Sequence, residues 1–185
     1  MIATIRIITL LLVGLLLLGC TNNPPAAPPN ISVNNSSTGV NMSKNPTVVF
    51  ETTKGTFKAE IFEKEAPITA KNFLGLVRSG FYNNLTFHRY EPDFVIQGGD
   101  PRGDGSGGSD KTIPLEIVPG LSHDVGALGM ARTNEPDSAT SQFYIVVGNA
   151  KFLDGQYAVF GKVTSGMDIA NQLRKGDRMN KVYVE

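Results

Sequence analysis

The run Phe87-His88-Arg89-Tyr90-Glu91-Pro92-Asp93-Phe94-Val95-Ile96-Gln97-Gly98-Gly99-Asp100-Pro101 places an arginine and a glutamine among aromatic and aliphatic side chains. Arginine is always charged and presents a rigid fork of donors, so Arg89 suits chemistry that needs a fixed cation and no proton transfer. His88 stands next to it. Successive side chains of a strand point to opposite faces, so His88 is expected to be a hydrogen-bonded structural histidine turned away from Arg89, not a general base. Other chemistries find too few groups. His88 and His123 are the only histidines and Cys20 the only cysteine, so no zinc site is expected. Ser138 and Ser141 lack a histidine placed by any motif for a hydrolytic triad. Gly103-x-Gly105-x-x-Gly108 has the letters of a dinucleotide loop, but Ile113-Pro114 follows too soon for the helix such a loop must open. Asp100, Asp104 and Asp110 are too sparse for a calcium loop, and Arg102 falls where a ligand is required. Lys+Arg and Asp+Glu balance at 17 each, which leaves no overall field to attract nucleic acid.

Elements able to hold these groups can be read around them. Residues 47–53 and 56–62 are β-rich runs around Lys54-Gly55, a hairpin signal. A helix is expected from Pro67, with Ala70, Phe73, Leu74 and Val77 at helical spacing and Ser79-Gly80 as the stop. Short strands are expected at 85–90, 94–97, 127–131, 143–147, 157–163 and 181–184, with a second short helix at 167–173. Many short strands, Gly-rich turns and two helices suggest a closed barrel with helices over its ends. Periodicity alone does not separate a barrel from a sandwich.

Two further stretches join the first in order. One is Gly126-Ala127-Leu128-Gly129-Met130-Ala131-Arg132, continuing to Ser138-Ala139-Thr140-Ser141-Gln142-Phe143-Tyr144-Ile145. The other is Phe152-Leu153-Asp154-Gly155 followed by Tyr157-Ala158-Val159-Phe160-Gly161-Lys162-Val163. Together they resemble the cyclophilin family of peptidyl-prolyl cis/trans isomerases. The resemblance implies a mainly β fold, a closed antiparallel eight-stranded β-barrel capped by two α-helices. It also implies proline-containing polypeptides as substrates, bound on the outer face, and no cofactor. Arg89 would donate to the prolyl nitrogen, with Gln97 beside it. Phe94, Val95, Met130, Tyr144 and Leu153 would form the apolar pocket. Aligning the family's Gln-Phe-Phe run onto Gln142-Phe143-Tyr144 puts Tyr144 there and not Phe143. Gln142 would hydrogen-bond the substrate, whose backbone would pair with the main chain around Ala131 and Arg132. Phe152 and Tyr157 stand where well-studied eukaryotic members carry Trp and His, and the lost indole N–H removes a donor that cyclosporin uses in those members. Arg132 replaces the family's usual Asn and is expected to add a preference for acidic or carbonyl-rich flanks. The alternative reading is a module that grips proline segments with little catalysis.

Three segments are expected. Residues 1–19 read as a signal peptide: Arg6 precedes an apolar run of roughly 13 residues, too short to cross a bilayer comfortably. The run ends Leu17-Leu18-Gly19-Cys20, which resembles the bacterial lipobox. Acylation of Cys20 would then hold the protein on a lipid bilayer at the cell envelope, outside the cytoplasm. Residues 20–44, rich in Asn, Ser, Thr and Pro, read as a linker that buries too little surface to fold. Residues 45–185 form the folded domain, expected to be monomeric.

Overall fold

The computed structural model describes residues 44–185. The expected leader, the acylation site Cys20 and all of the linker but Lys44 lie outside the described residues. Among those described, no helix is long and apolar enough to cross a membrane.

Strand β1 (Thr47–Thr52) turns back on β2 (Gly55–Ile61) at Thr53-Lys54, as the hairpin signal predicts. Gly55 takes φ +126, which a side chain would resist, and Thr52 Oγ1 closes the turn by donating to Gly55 O at 2.7 Å. Helix α1 (Pro67–Arg78) opens on a proline already fixed at helical φ. It lacks a side-chain cap at Ala66. Its first free N–H groups, on Ile68 and Thr69, donate instead to the Glu116 carboxylate at 3.1 and 2.8 Å. Thr69, Ala70, Phe73, Leu74 and Val77 form its buried face, as the spacing required.

The remaining elements are β3 (Phe87–Glu91), β4 (Val95–Gly98), β5 (Ala127–Met130), β6 (Phe143–Val146), β7 (Val159–Ser165), α2 (Met167–Gln172) and β8 (Met179–Val184). Short 3₁₀ turns at Pro136–Ser138 and Lys151–Leu153 were not expected from sequence. All eight strands form one antiparallel sheet in the order β3-β4-β6-β5-β7-β2-β1-β8. The sheet curls until its ends meet through a Thr86–Arg178 bridge, with Phe87 N on Asp177 O and Met179 N on Leu85 O, both at 2.8 Å. Closure is thus a short seam and not a full strand pair. Helix α1 packs against β7 and β8, and α2 against β2.

The interior is built on Phe50, Phe57, Phe73, Tyr82, Phe87, Phe143 and Phe160, all fully buried. Phe50 stacks on Phe57 at 4.5 Å, and Phe73 meets Phe143 edge-on at 5.4 Å. Each such ring contributes roughly 1.5–3 kcal/mol by leaving water. That core gives the outer face a rigid backing.

Candidate active site

The bulge between Phe87 and Arg89 decides where the cation points. In a regular strand these two residues would share a face. The irregularity lets Phe87 enter the core while Arg89 emerges outside, with His88 buried behind it. His88 lies under Gly105, and burial, ahead of the Arg89 charge, lowers its pKa. It is buried as a structural histidine would be, but its Nδ1 makes no hydrogen bond, where a hydrogen-bonded ring was expected.

From Arg89 a row of opposed positions crosses four strands: Arg89 faces Gln97, Gln97 faces Tyr144, and Tyr144 faces Gly129. Over this row opens a cavity of about 260 Å³. Phe94, Val95, Ala131, Tyr144, Leu153 and Tyr157 supply its apolar lining, with Arg89 and Gln97 on one side and Arg132 on the other. Gly129 has no side chain for a concrete reason: a Cβ there would overlap the Tyr144 ring.

A directed hydrogen-bond chain reaches Arg89 from a loop. Gln142 Nε2 donates to the carbonyls of Gly105 and Gly107 at 3.0 and 2.6 Å. Gln142 Oε1 therefore accepts from Gln97 Nε2 at 2.9 Å, and Gln97 Oε1 from Arg89 Nη1 at 3.2 Å. Carbonyls only accept, so the loop fixes the polarity of both amides and turns an acceptor toward the guanidinium. Glu91 takes Arg89 Nε at 3.4 Å, and Phe94 lies 5.8 Å from the cation's centre. The loop itself hangs on Asp100, whose buried carboxylate accepts from the N–H groups of Arg102, Asp104 and Gly105 at 2.8, 3.1 and 2.6 Å. Burial pushes that carboxyl up, but the backbone donors outweigh it and hold the pKa below the usual range.

The model of the cyclophilin type peptidyl-prolyl cis-trans isomerase family matches residues 47–184, nearly all of the described fold. The chain belongs to the cyclophilin family. It is 46% identical over 127 residues to peptidyl-prolyl cis-trans isomerase B of Bacillus subtilis, covering 68% of this chain and 88% of that one. It is 42% identical over 130 residues to peptidyl-prolyl cis-trans isomerase-like 1 of Aspergillus fumigatus, covering 68% and 80%. A Cryptosporidium parvum cyclophilin-type isomerase, solved in the presence of the dipeptide Ala-Pro, superimposes with a TM-score of 0.70 at 32% identity, over 75% of this chain and 98% of that one. The chain is thus a peptidyl-prolyl cis/trans isomerase of the cyclophilin fold.

Most of the residues expected at the cyclophilin site do line the cavity. Met130 does not: it pairs with Phe143, is almost fully buried and belongs to the interior cluster. The register explains this, because Tyr144 faces outward over Gly129 and the next pair must face inward. Phe152 stands at the rim, 62% exposed, and stacks on Phe94 at 5.2 Å. Gln142 sits in an adjoining cavity of about 330 Å³, where it anchors Gln97. Arg132 is turned onto the protein itself. Its Nη2 donates to Gln156 O at 2.9 Å, its Nη1 to Thr133 O at 2.8 Å, and the guanidinium stacks over Tyr157 at 4.5 Å. The guanidinium is thus already held by carbonyls of this chain.

Asp154, next to the lining residue Leu153, was not expected to matter. Its carboxylate accepts from Ser122 Oγ at 2.6 Å and from His123 N and Nδ1 at 2.8 and 2.7 Å. These bonds, Ser122's first, hold its pKa down to about 2 from an ordinary 3.8. A depressed carboxyl stabilises the fold above its unfolded pKa, and that contribution fades as pH falls from about 4 towards 2. Urea midpoints measured from pH 5 to 2.5 should therefore drop more steeply for the wild type than for Asp154→Asn. Parallel curves would contradict the assignment.

Proposed function

We propose that this cyclophilin isomerises X–Pro bonds in exported polypeptides at the cell envelope, and that Arg89 is its catalytic cation. The X–Pro bond turns slowly because resonance gives its C–N bond double-bond character, with a barrier of about 18–20 kcal/mol. Twisting the amide frees the nitrogen lone pair. A guanidinium donating to that nitrogen favours the twisted state over both planar isomers, with no proton transferred and no covalent bond formed. Phe94, Val95, Tyr144 and Leu153 would seat the proline ring. Gln97 would steady Arg89, and the main chain around Ala131 and Arg132, just past the β5–β6 ladder, would hold the substrate backbone. One charge-assisted hydrogen bond is worth roughly 1.5–3 kcal/mol, about one to two powers of ten in rate. Further acceleration comes from fixed dipoles in a site poor in water.

The carrying observation is the cross-strand pair Arg89–Gln97 beside the apolar cavity. A protein that only gripped proline segments would have no need of a cation oriented in this way. A protease-coupled assay on an X–Pro peptide tests the reading. Acceleration over the uncatalysed rate supports it, and binding without acceleration would favour the gripping module.

The envelope location rests on the apolar leader and the Leu17-Leu18-Gly19-Cys20 sequence. Acylation of Cys20 would join the domain to a bilayer through the linker. The protein, taken as monomeric, should partition into the detergent phase when extracted from cells and carry palmitate label. Cys20→Ala should move to the aqueous phase without label. Aqueous partitioning of the wild type would remove the anchor.

A further inference from the structure

A second polar chain runs beneath the pocket, and the isomerisation step does not use it. The Tyr144 hydroxyl lies 2.8 Å from His123 Nε2, and His123 Nδ1 lies 2.7 Å from Asp154 Oδ1. The imidazole side chain is fully buried, and its ring stacks beside that of Tyr144 with centroids 5.9 Å apart. The direction of each bond follows from the chemistry of its ends. An ionised carboxylate only accepts, so Nδ1 carries a proton and donates to Asp154, which leaves Nε2 to the phenol. Burial pushes the Tyr144 phenol well above its ordinary range, so it keeps that proton and has no acid–base role. The chain joins two sides of the cavity. Tyr144 lies on β6, and Asp154 directly follows Leu153 on the facing turn. Gly129 leaves the space against its backbone that the phenol occupies, and the bond to His123 sets the direction of the hydroxyl.

We infer that His123 is a positioning residue of this enzyme, setting the seat of the Tyr144 ring relative to Leu153 and hence the affinity for the proline side of the substrate. The inference rests on the cavity being the proline site, as proposed above. His123 touches no substrate, and Arg89 lies at the other end of the cross-strand row, so the effect should fall on KM and not on kcat.

The test compares His123→Leu, His123→Gln and Tyr144→Phe in the full protein, with KM and kcat on an X–Pro peptide and peptide Kd by titration. His123→Leu deprives the phenol of its partner and Asp154 of a donor. KM and Kd should rise about tenfold, the equivalent of one buried hydrogen bond, with kcat within about twofold of wild type. His123→Gln, which offers both an N–H and a carbonyl, should recover most of the affinity. Tyr144→Phe keeps the ring, folds if His123→Leu does not, and should raise KM about threefold. The inference is overturned if Tyr144→Phe and the His123 variants leave KM and Kd at wild-type values, or if kcat falls while KM holds. It is equally overturned if glutamine rescues nothing and activity merely tracks the folded fraction. A wild-type protein that neither binds nor isomerises the peptide would instead defeat the underlying site reading.

Discussion

Arg89→Ala should lower kcat/KM on an X–Pro peptide by roughly a hundredfold, the scale seen when one preorganised donor is removed from a transition-state site. Its folding stability should barely change. The side chain is 44% exposed, and its ion pair with Glu91 is exposed on both sides, so it adds little to the fold. Arg89→Lys should recover less than about a tenth of the lost activity. An ammonium is a point charge without the planar fork that can meet Gln97 on one edge and the amide nitrogen on another. Unfolding curves recorded alongside the rates separate the two effects. A large loss of stability in Arg89→Ala would mean that the residue holds the fold.

Asp100→Ala should damage both properties. Three backbone N–H groups converge on this buried carboxylate, and an unsatisfied buried donor costs about 1–3 kcal/mol. Some of them will reach water once the loop loosens, so a loss of about 3 kcal/mol in urea unfolding is expected. Activity should fall about tenfold in the molecules that remain folded, through a traceable route. Gln142 loses the fixed carbonyls of Gly105 and Gly107, Gln97 loses its orientation, and Arg89 loses the acceptor at Nη1. Asp100→Asn retains one acceptor oxygen and should fall between the two. Full activity in folded Asp100→Ala would show that the glutamine chain does not orient Arg89.

The elements themselves were legible in the sequence because the signals were local. Lys54-Gly55, Pro67, Ser79-Gly80 and Gly166 mark ends that the chain obeys to within a residue or two. The identity of the fold was legible for a different reason: three long motifs in fixed order resemble one family, where periodicity left barrel and sandwich open. What stayed hidden depends on pairing between distant segments. The bulge that turns Arg89 outward has no mark in Phe87-His88-Arg89, since alternation would place Phe87 and Arg89 together. Met130 was expected in the pocket, and only the register of β5 on β6 shows that an outward Tyr144 takes Gly129 as its neighbour and sends Met130 inside. His123 and Asp154 lie 31 residues apart, and Glu116 reaches the start of α1 from 47 residues away. No spacing rule connects such groups. Arg132 was expected to add a preference for acidic or carbonyl-rich flanks, and the bonds its guanidinium makes to Thr133 O and Gln156 O carry no mark in the sequence.

The most direct test is two-dimensional exchange NMR on an X–Pro peptide at equal bound fraction with wild-type protein and with Arg89→Ala. The expected result is cis–trans exchange cross-peaks with the wild type and exchange about a hundredfold slower with Arg89→Ala, while peptide shifts still report binding to both. Exchange of equal rate in the two proteins would contradict the catalytic role of the Arg89 guanidinium.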